Sequence, residues 1–399
     1  MKIAIVVQGR FHAFDLAKAL LGREHDVTLF TNYPRWAVKR FGFPEERVRS
    51  FWVHGVVSKG AYRIYDRTKV RPERWLNPLF GSWAARELSK ERWDVIHQWS
   101  GISEEIHSRS RNRTALNILM RGSAHIGTQD MILKDEEQRT GTRLDRPDRW
   151  IRRREEREYE LADCVVVLSS FARRSFAAEG VNPAKLRLLP LGADTQRFRP
   201  GSDVIESRCR RILSGESLKV LYVGALSLRK GLWDIDTIVR RLKARCHFRF
   251  VGPVTSEARR LAGQLRKAAE LVPKQAQREL RKWYSDSDLF LFPTLEDGFA
   301  MVLAQAQANA LPILTTTNCS GPDLIREGET GWILPIRDPE AFIERLCWCD
   351  SNRAALAEMV RRLYTTHRVR SWDDVARDFE AICAKELGSL AYESAVANG

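Results

Sequence analysis

No run of about 18 to 20 apolar residues, the length a membrane-spanning helix needs, occurs in this 399-residue chain; the longest obvious apolar stretches are 3–7 and 164–168. Spanning helices are thereby disfavoured. A secretion signal is missing as well: the opening M-K-I-A-I-V-V gives way at once to Gln8, Arg10 and His12, where export needs a longer apolar segment and a small-residue cleavage site. The expectation is a cytoplasmic protein. Cysteine is scarce and odd in number, seven in all, with neither pairing periodicity nor C-x-x-C metal spacing, as suits a reducing compartment. The three-glycine dinucleotide fingerprint is absent, Gly9 standing alone after the first apolar run, so a nicotinamide dehydrogenase is disfavoured. Low-complexity segments and solenoid-period repeats are lacking too.

What is present is a long chain with an ordinary apolar share, 44%. That length predicts two domains. Short apolar, β-branched runs at 3–7, 27–30, 94–97, 115–120, 164–168 and 186–189 alternate with helical patterns. After an irregular polar stretch at 194–217 the rhythm resumes at 218–224, 247–251, 288–292, 312–315 and 331–334. Continuously apolar strands separated by helices predict two consecutive α/β domains, each doubly wound around a parallel sheet. The boundaries are placed at 1–198, 199–370 and a final helical segment 371–399, expected to cross back to the first domain. Charge divides unevenly: residues 1–200 carry 37 basic against 25 acidic side chains, an excess of +12, and the remainder only +3. An anionic partner of the first half is implied. The segment 148–163 reads as a helix capped by Asp148 whose charges form a solvated face. Seven of the twelve tryptophans precede residue 151, mostly as packing, with a minority left for an acceptor sugar or a membrane interface.

Several residues are placed for chemistry. Gly9 sits at the carboxyl end of a central strand, where a ligand contact and a plain tight turn fit equally. Gly224 ends another strand, and Arg229 and Lys230 follow it just before a helix; two adjacent cations at a helix start suit a diphosphate, a bare surface pair being the alternative. Farther on, Asp297 lies in a turn, the amides of Gly298, Phe299 and Ala300 open a helix, and Gln305 lies about two helical turns on. A carboxylate and an amide on one helix edge suit a polyhydroxylated ligand. Asp286-Ser287-Asp288 has a D-x-D pattern, but it precedes a strand, away from the ligand end, so no metal site is expected there.

The run P-T-L-E-D-G-F-A-M-V-L-A-Q-A-Q-A-N-A-L-P resembles the P-S-x-x-E-G-F-G-x-x-x-x-E-A-x-A-x-G-x-P signature of retaining GT-B glycosyltransferases of family 4. G-A-L-S-L-R-K-G resembles that family's G-x-L-x-x-x-K-G, and L-P-L-G-A-D-T-Q-R-F-R-P, L-A-D-C-V-V-V-L-S-S-F and I-R-E-G-E-T-G-W-I-L-P-I-R-D-P-E-A-F follow its other conserved segments in order. R-G-S-A-H-I resembles a segment of a subset of the family. The resemblance implies a GT-B fold, two Rossmann-like domains facing across a cleft, and a metal-independent enzyme without resident cofactor. It implies transfer of a sugar from a nucleotide-diphosphate sugar to a glycan or lipid-linked acceptor, in bacterial surface polysaccharide or glycoconjugate synthesis. Arg229 and Lys230 would hold the donor diphosphate. Asp297 would lie near the transferred sugar and Gln305 near the ribose, each standing where the family has glutamate. His125 would lie in the cleft beside the sugar, with Gly9 and Arg121 on the acceptor side. Contact with an anionic membrane surface on its inner face accompanies this reading, and a nucleic-acid partner is not expected. A nucleic-acid-binding protein, a GT-B sugar-nucleotide epimerase and a non-catalytic subunit stay open as alternatives.

Overall fold

The computed structural model describes residues 1–68, 70–110 and 115–397. Seven strands build the first sheet: β1 (Lys2–Val7), β2 (Asp26–Thr31), β3 (Val48–Ser50), β4 (Val95–Trp99), β5 (Leu116–Arg121), β6 (Cys164–Val167) and β7 (Leu186–Leu188). They lie in the order β3-β2-β1-β4-β5-β6-β7, every pairing parallel. Six more form the second: β8 (Leu218–Val223), β9 (Cys246–Val251), β10 (Glu270–Val272), β11 (Leu289–Phe292), β12 (Ile313–Thr316) and β13 (Gly331–Leu334). Their order is β10-β9-β8-β11-β12-β13, again parallel. Helices on both faces bury strands such as Ile3–Val7 completely, which is why these runs are apolar without alternation. Strand order reverses between β1 and β4 and between β8 and β11. Those switch points are where an open α/β sheet leaves a crevice at its carboxyl edge.

Three details depart from the expected pattern. The edge strands β3 and β10 are additional, and the polar stretch at 194–217 contains a helix, Ser202–Leu213, seated by buried Ile205, Cys209 and Ile212. The charged helix Arg149–Leu161, capped by Asp148 through the amides of Trp150 and Ile151, keeps Arg149, Arg153, Arg157 and Glu160 on an exposed face as expected, but Arg154, Glu155 and Glu158 turn inward. Arg154 is 2% exposed and pairs with Glu104, Glu105 and Glu158, while the buried Glu158 carboxylate accepts from the amides of Gly101, Ser103 and Glu104. These charges are internal struts that tie the start of the helix Glu104–Ser110 to its neighbour. The last helix, Trp372–Ala397, lies against Ala13–Gly22 of the first lobe. Glu380 there meets Arg23 at 2.8 Å, and Phe379 meets His97 edge-on.

Candidate active site

A cleft of about 1260 Å³ lies between the carboxyl edges of the two sheets, so that both switch points face it. Gln8 and Gly9 reach it from β1, Ser100 and Gly101 from β4, Val223 and Gly224 from β8, and Asp297 from the turn after β11. Arg229 and Lys230 lie in the same wall. They end a 3-10 turn, Leu228–Lys230, whose cap Ser227 accepts the amide of Lys230. Gly231 follows with φ +80, and a Cβ there would stand 1.9 Å from the carbonyl oxygen of Pro293. Only glycine lets this turn lie against the exit of β11.

That approach sets the electrostatics. Lys230 Nζ lies 2.6 Å from Asp297 Oδ2 and donates to the carbonyl of Glu296 at 3.0 Å. Arg229 lies 2.7 Å from Glu296 Oε2 and donates to Ser123 Oγ at 2.8 Å. The two cations are therefore held in place beside Asp297, partly neutralised. Asp297 Oδ1 accepts from the amides of Phe299 and Ala300, at 3.2 and 2.9 Å. Those two amides, expected to be open to a ligand, are occupied by the adjacent carboxylate. The helix begins two residues later than expected, at Met301, after Ala300 in the left-handed region at φ 59. Its uncapped first turn, Met301 and Val302, lines the cleft and presents the positive end of a helix.

Glu296, beside the motif position, is the residue sequence reasoning missed. It is fully buried and belongs to the second lobe, yet its partners are mostly in the first. Oε1 accepts from Ser123 Oγ at 2.5 Å and from the amide of Ala124 at 2.9 Å; Oε2 accepts from Gln129 Nε2 at 3.0 Å. Burial alone would raise its pKa, but Arg229, Lys230, the Ser123 hydroxyl and the Ala124 amide hold it down at about 2. Gly298 serves the same junction: a Cβ there would stand 2.2 Å from the Gly122 carbonyl oxygen of the facing lobe. It serves close approach between the lobes and, unlike Asp297 and Phe299, is not part of the cleft lining. A second junction pairs Arg139 with Asp234 and Arg337 with Glu136, at 3.0 Å for the latter.

The expected placements of His125 and Gln305 are corrected. His125 caps the helix Ile126–Thr140 by accepting the amide of Gly127 at 3.1 Å, and its ring packs between Tyr159 and Phe176. It is 4% exposed and does not line the cleft; burial keeps it neutral by lowering its pKa to about 4. Arg121 lies in the cleft wall instead. It is fixed there by Glu155 at 2.8 Å and by Gln129 Oε1 at 2.9 Å. Gln305 points into the second lobe, where Oε1 accepts from the buried Tyr284 hydroxyl at 3.0 Å. It too is absent from the cleft lining. Gly9 lines the cleft, but its amide donates to Asn32 Oδ1 and its carbonyl accepts from Thr31, as in a structural turn. Asp286 ends the helix Gln277–Ser285 and pairs with Lys219 and Arg249, while Asp288 pairs with Arg211. Both carboxylates lie at the amino end of β11, committed to cations.

The model of Glycosyltransferase Family 4 matches residues 10–197, and that of Glycosyl transferases group 1 matches 217–352. Together they take in about four-fifths of the chain. The putative colanic acid biosynthesis glycosyltransferase WcaL of Salmonella typhimurium is 26% identical over 246 residues, 58% of this chain and 57% of the relative. The matched region thus spans little more than half of that protein. A D-inositol 3-phosphate glycosyltransferase of a Nocardioides species is 22% identical across 92% of this chain and 82% of its own. Among solved structures, sucrose-phosphate synthase of Thermosynechococcus elongatus superimposes with TM-score 0.69 at 18% identity, covering 97% of this chain and 99% of the other. Anabaena HepE in complex with UDP gives 0.66 at 14% identity, covering 98% and 100%. These likenesses establish the GT-B architecture.

Proposed function

The chain belongs to glycosyltransferase family 4, and on that premise we propose that it transfers a sugar, with retention of anomeric configuration, from a nucleotide-diphosphate sugar to a glycan or lipid-linked acceptor. The observation that carries this is the placement of Arg229 and Lys230 in the cleft wall, beside the turn bearing Asp297 and the open helix start at Met301. HepE is seen with UDP and with UDP-glucose, which supports a nucleoside-diphosphate donor here. The acceptor lies on the side of Arg121 and the first lobe.

Breaking the anomeric bond concentrates negative charge on the β-phosphate. Arg229, Lys230 and the first-turn amides of Met301 and Val302 are positioned to stabilise it in a recessed cleft, a preorganised contribution of several kcal/mol. Asp297 and Glu296 keep both cations aimed before donor arrives, so little reorganisation accompanies the reaction. The departing phosphate then serves as base for the acceptor hydroxyl attacking the same face. Because two fixed cations neutralise the leaving group, no divalent metal is required in this scheme. The acceptor, sugar and base are read from turnover: release of nucleoside diphosphate is measured over a panel of nucleotide sugars with and without acceptor. Arg229→Ala and Lys230→Ala should each lower acceptor-dependent release by on the order of tenfold to a thousandfold. Near-normal rates in both would remove the assignment.

A further inference from the structure

The helix Trp52–Thr68 of the first lobe is inverted relative to an ordinary surface helix. Its inward stripe carries His54 and Ser58, both buried; His54 Nε2 meets the Leu76 carbonyl at 3.0 Å and Ser58 donates to the His54 carbonyl. Its outward arc carries Trp52, Val53, Val56, Val57 and Ile64, each 43% to 60% exposed. At 100° per residue these five share one side of the helix, opposite His54 and Ser58. An apolar outer face on a surface helix costs stability in water unless something apolar covers it. No helix among the described residues is long and apolar enough to cross a membrane.

Charge shows what covers it. Lys59 borders the apolar arc and Arg63 falls within it beside Trp52 and Val56, both cations exposed. On the short helix Arg35–Lys39 of the same lobe, Trp36 is 59% exposed with Arg40 stacked 4.8 Å from its ring. Cations bordering an apolar strip rich in tryptophan match a bilayer interface with anionic headgroups. A twofold contact between copies would set these cations against themselves. The same helix also contributes Trp52, Val56, Lys59, Tyr62 and Arg63 to the cleft lining, so its outer face is continuous with the cleft mouth.

We infer that the outer face of Trp52–Thr68 lies in the headgroup layer of an anionic bilayer and opens the cleft onto the membrane surface, so that the acceptor is lipid-anchored with its polar head in the cleft. The acceptor clause rests on the proposed transferase function; the membrane seat does not. The test is flotation of the full chain with phosphatidylcholine vesicles, with and without phosphatidylglycerol. The wild type should bind the anionic vesicles on the order of tenfold or more tightly than the neutral ones, because each interfacial cation contributes about fivefold. Val53→Ser/Val57→Ser/Ile64→Ser, at positions outside the cleft lining, should lose on the order of tenfold in vesicle affinity while melting like the wild type and keeping stabilisation by nucleoside diphosphate. Lys59→Glu/Arg63→Glu should abolish the preference for phosphatidylglycerol. Equal flotation with both vesicle types, an unaffected triple variant, or a wild-type dimer that the triple variant dissolves without vesicle binding would each overturn the membrane seat. Vesicle binding without stabilisation by any nucleoside diphosphate would leave the seat standing and refute the donor assignment.

Discussion

Replacing Glu296 by glutamine keeps the side chain's shape and removes its charge. Each carboxylate oxygen accepts from donors: Ser123 and Ala124 at Oε1, Gln129 and Arg229 at Oε2. Whichever oxygen becomes an amide nitrogen therefore faces two donors and forfeits both bonds. The carboxyl titrates at about 2 in the folded chain against an ordinary 4.5, a difference corresponding to about 3 kcal/mol. Because the Arg229 side chain is 36% exposed, part of that attraction is screened, leaving about 2 kcal/mol. The sign follows from the lowered pKa: this stability is fully present above pH 4.5 and is lost as pH falls toward 2. Urea unfolding followed by tryptophan fluorescence should place Glu296→Gln about 2 kcal/mol below the wild type at neutral pH, with the gap closing as the wild-type carboxyl is protonated. A variant within about 0.5 kcal/mol of the wild type at neutral pH, or a gap indifferent to pH, would refute the role of this carboxylate as an interlobe tie.

Gly298→Ala should force the Gly122 backbone away, with a loss of about 1 to 3 kcal/mol and a fall in turnover, read by melting and kcat. His125→Asn keeps an acceptor for the Gly127 amide but loses ring packing on Tyr159 and Phe176. It should cost about 1 to 2 kcal/mol of stability and leave kcat at 25 °C within about threefold; a collapse of kcat in a folded variant would return His125 to the chemistry. Gln305→Glu restores the motif carboxylate in a pocket that is 6% exposed, so it should lower stability by about 1 to 3 kcal/mol without improving donor KM. Chelator should leave turnover unchanged; loss restored by manganese would reinstate Asp286 and Asp288 as ligands.

The double-wound architecture was legible because strands buried on both faces are unbroken apolar runs, as at 3–7 and 218–223. Edge strands Val48–Ser50 and Glu270–Val272 escaped notice for the converse reason: three residues, most of them half-buried and one of them charged, carry no such signal. In the helix Arg149–Leu161 the sequence shows where charges fall but not that Glu104 and Glu105, about fifty residues away, wait for Arg154. The cationic turn was readable from glycine spacing and adjacent cations. His125 and Gln305 were misplaced since a motif fixes position along the chain, while which way a side chain points is decided by neighbours such as Tyr159 and Tyr284. Glu296 carried only one local hint, an acidic residue next to Asp297; its partners Ser123 and Gln129 are more than 160 residues distant.

The most direct measurement is titration calorimetry of UDP, GDP, ADP and dTDP, with the matching monophosphates, against the wild type and the Arg229→Ala/Lys230→Ala double variant. At least one diphosphate should bind on the order of tenfold more tightly than its monophosphate, and the double substitution should erase that margin. Equal binding of mono- and diphosphates, or a margin that survives the loss of both cations, would contradict the placement of the donor diphosphate on Arg229 and Lys230.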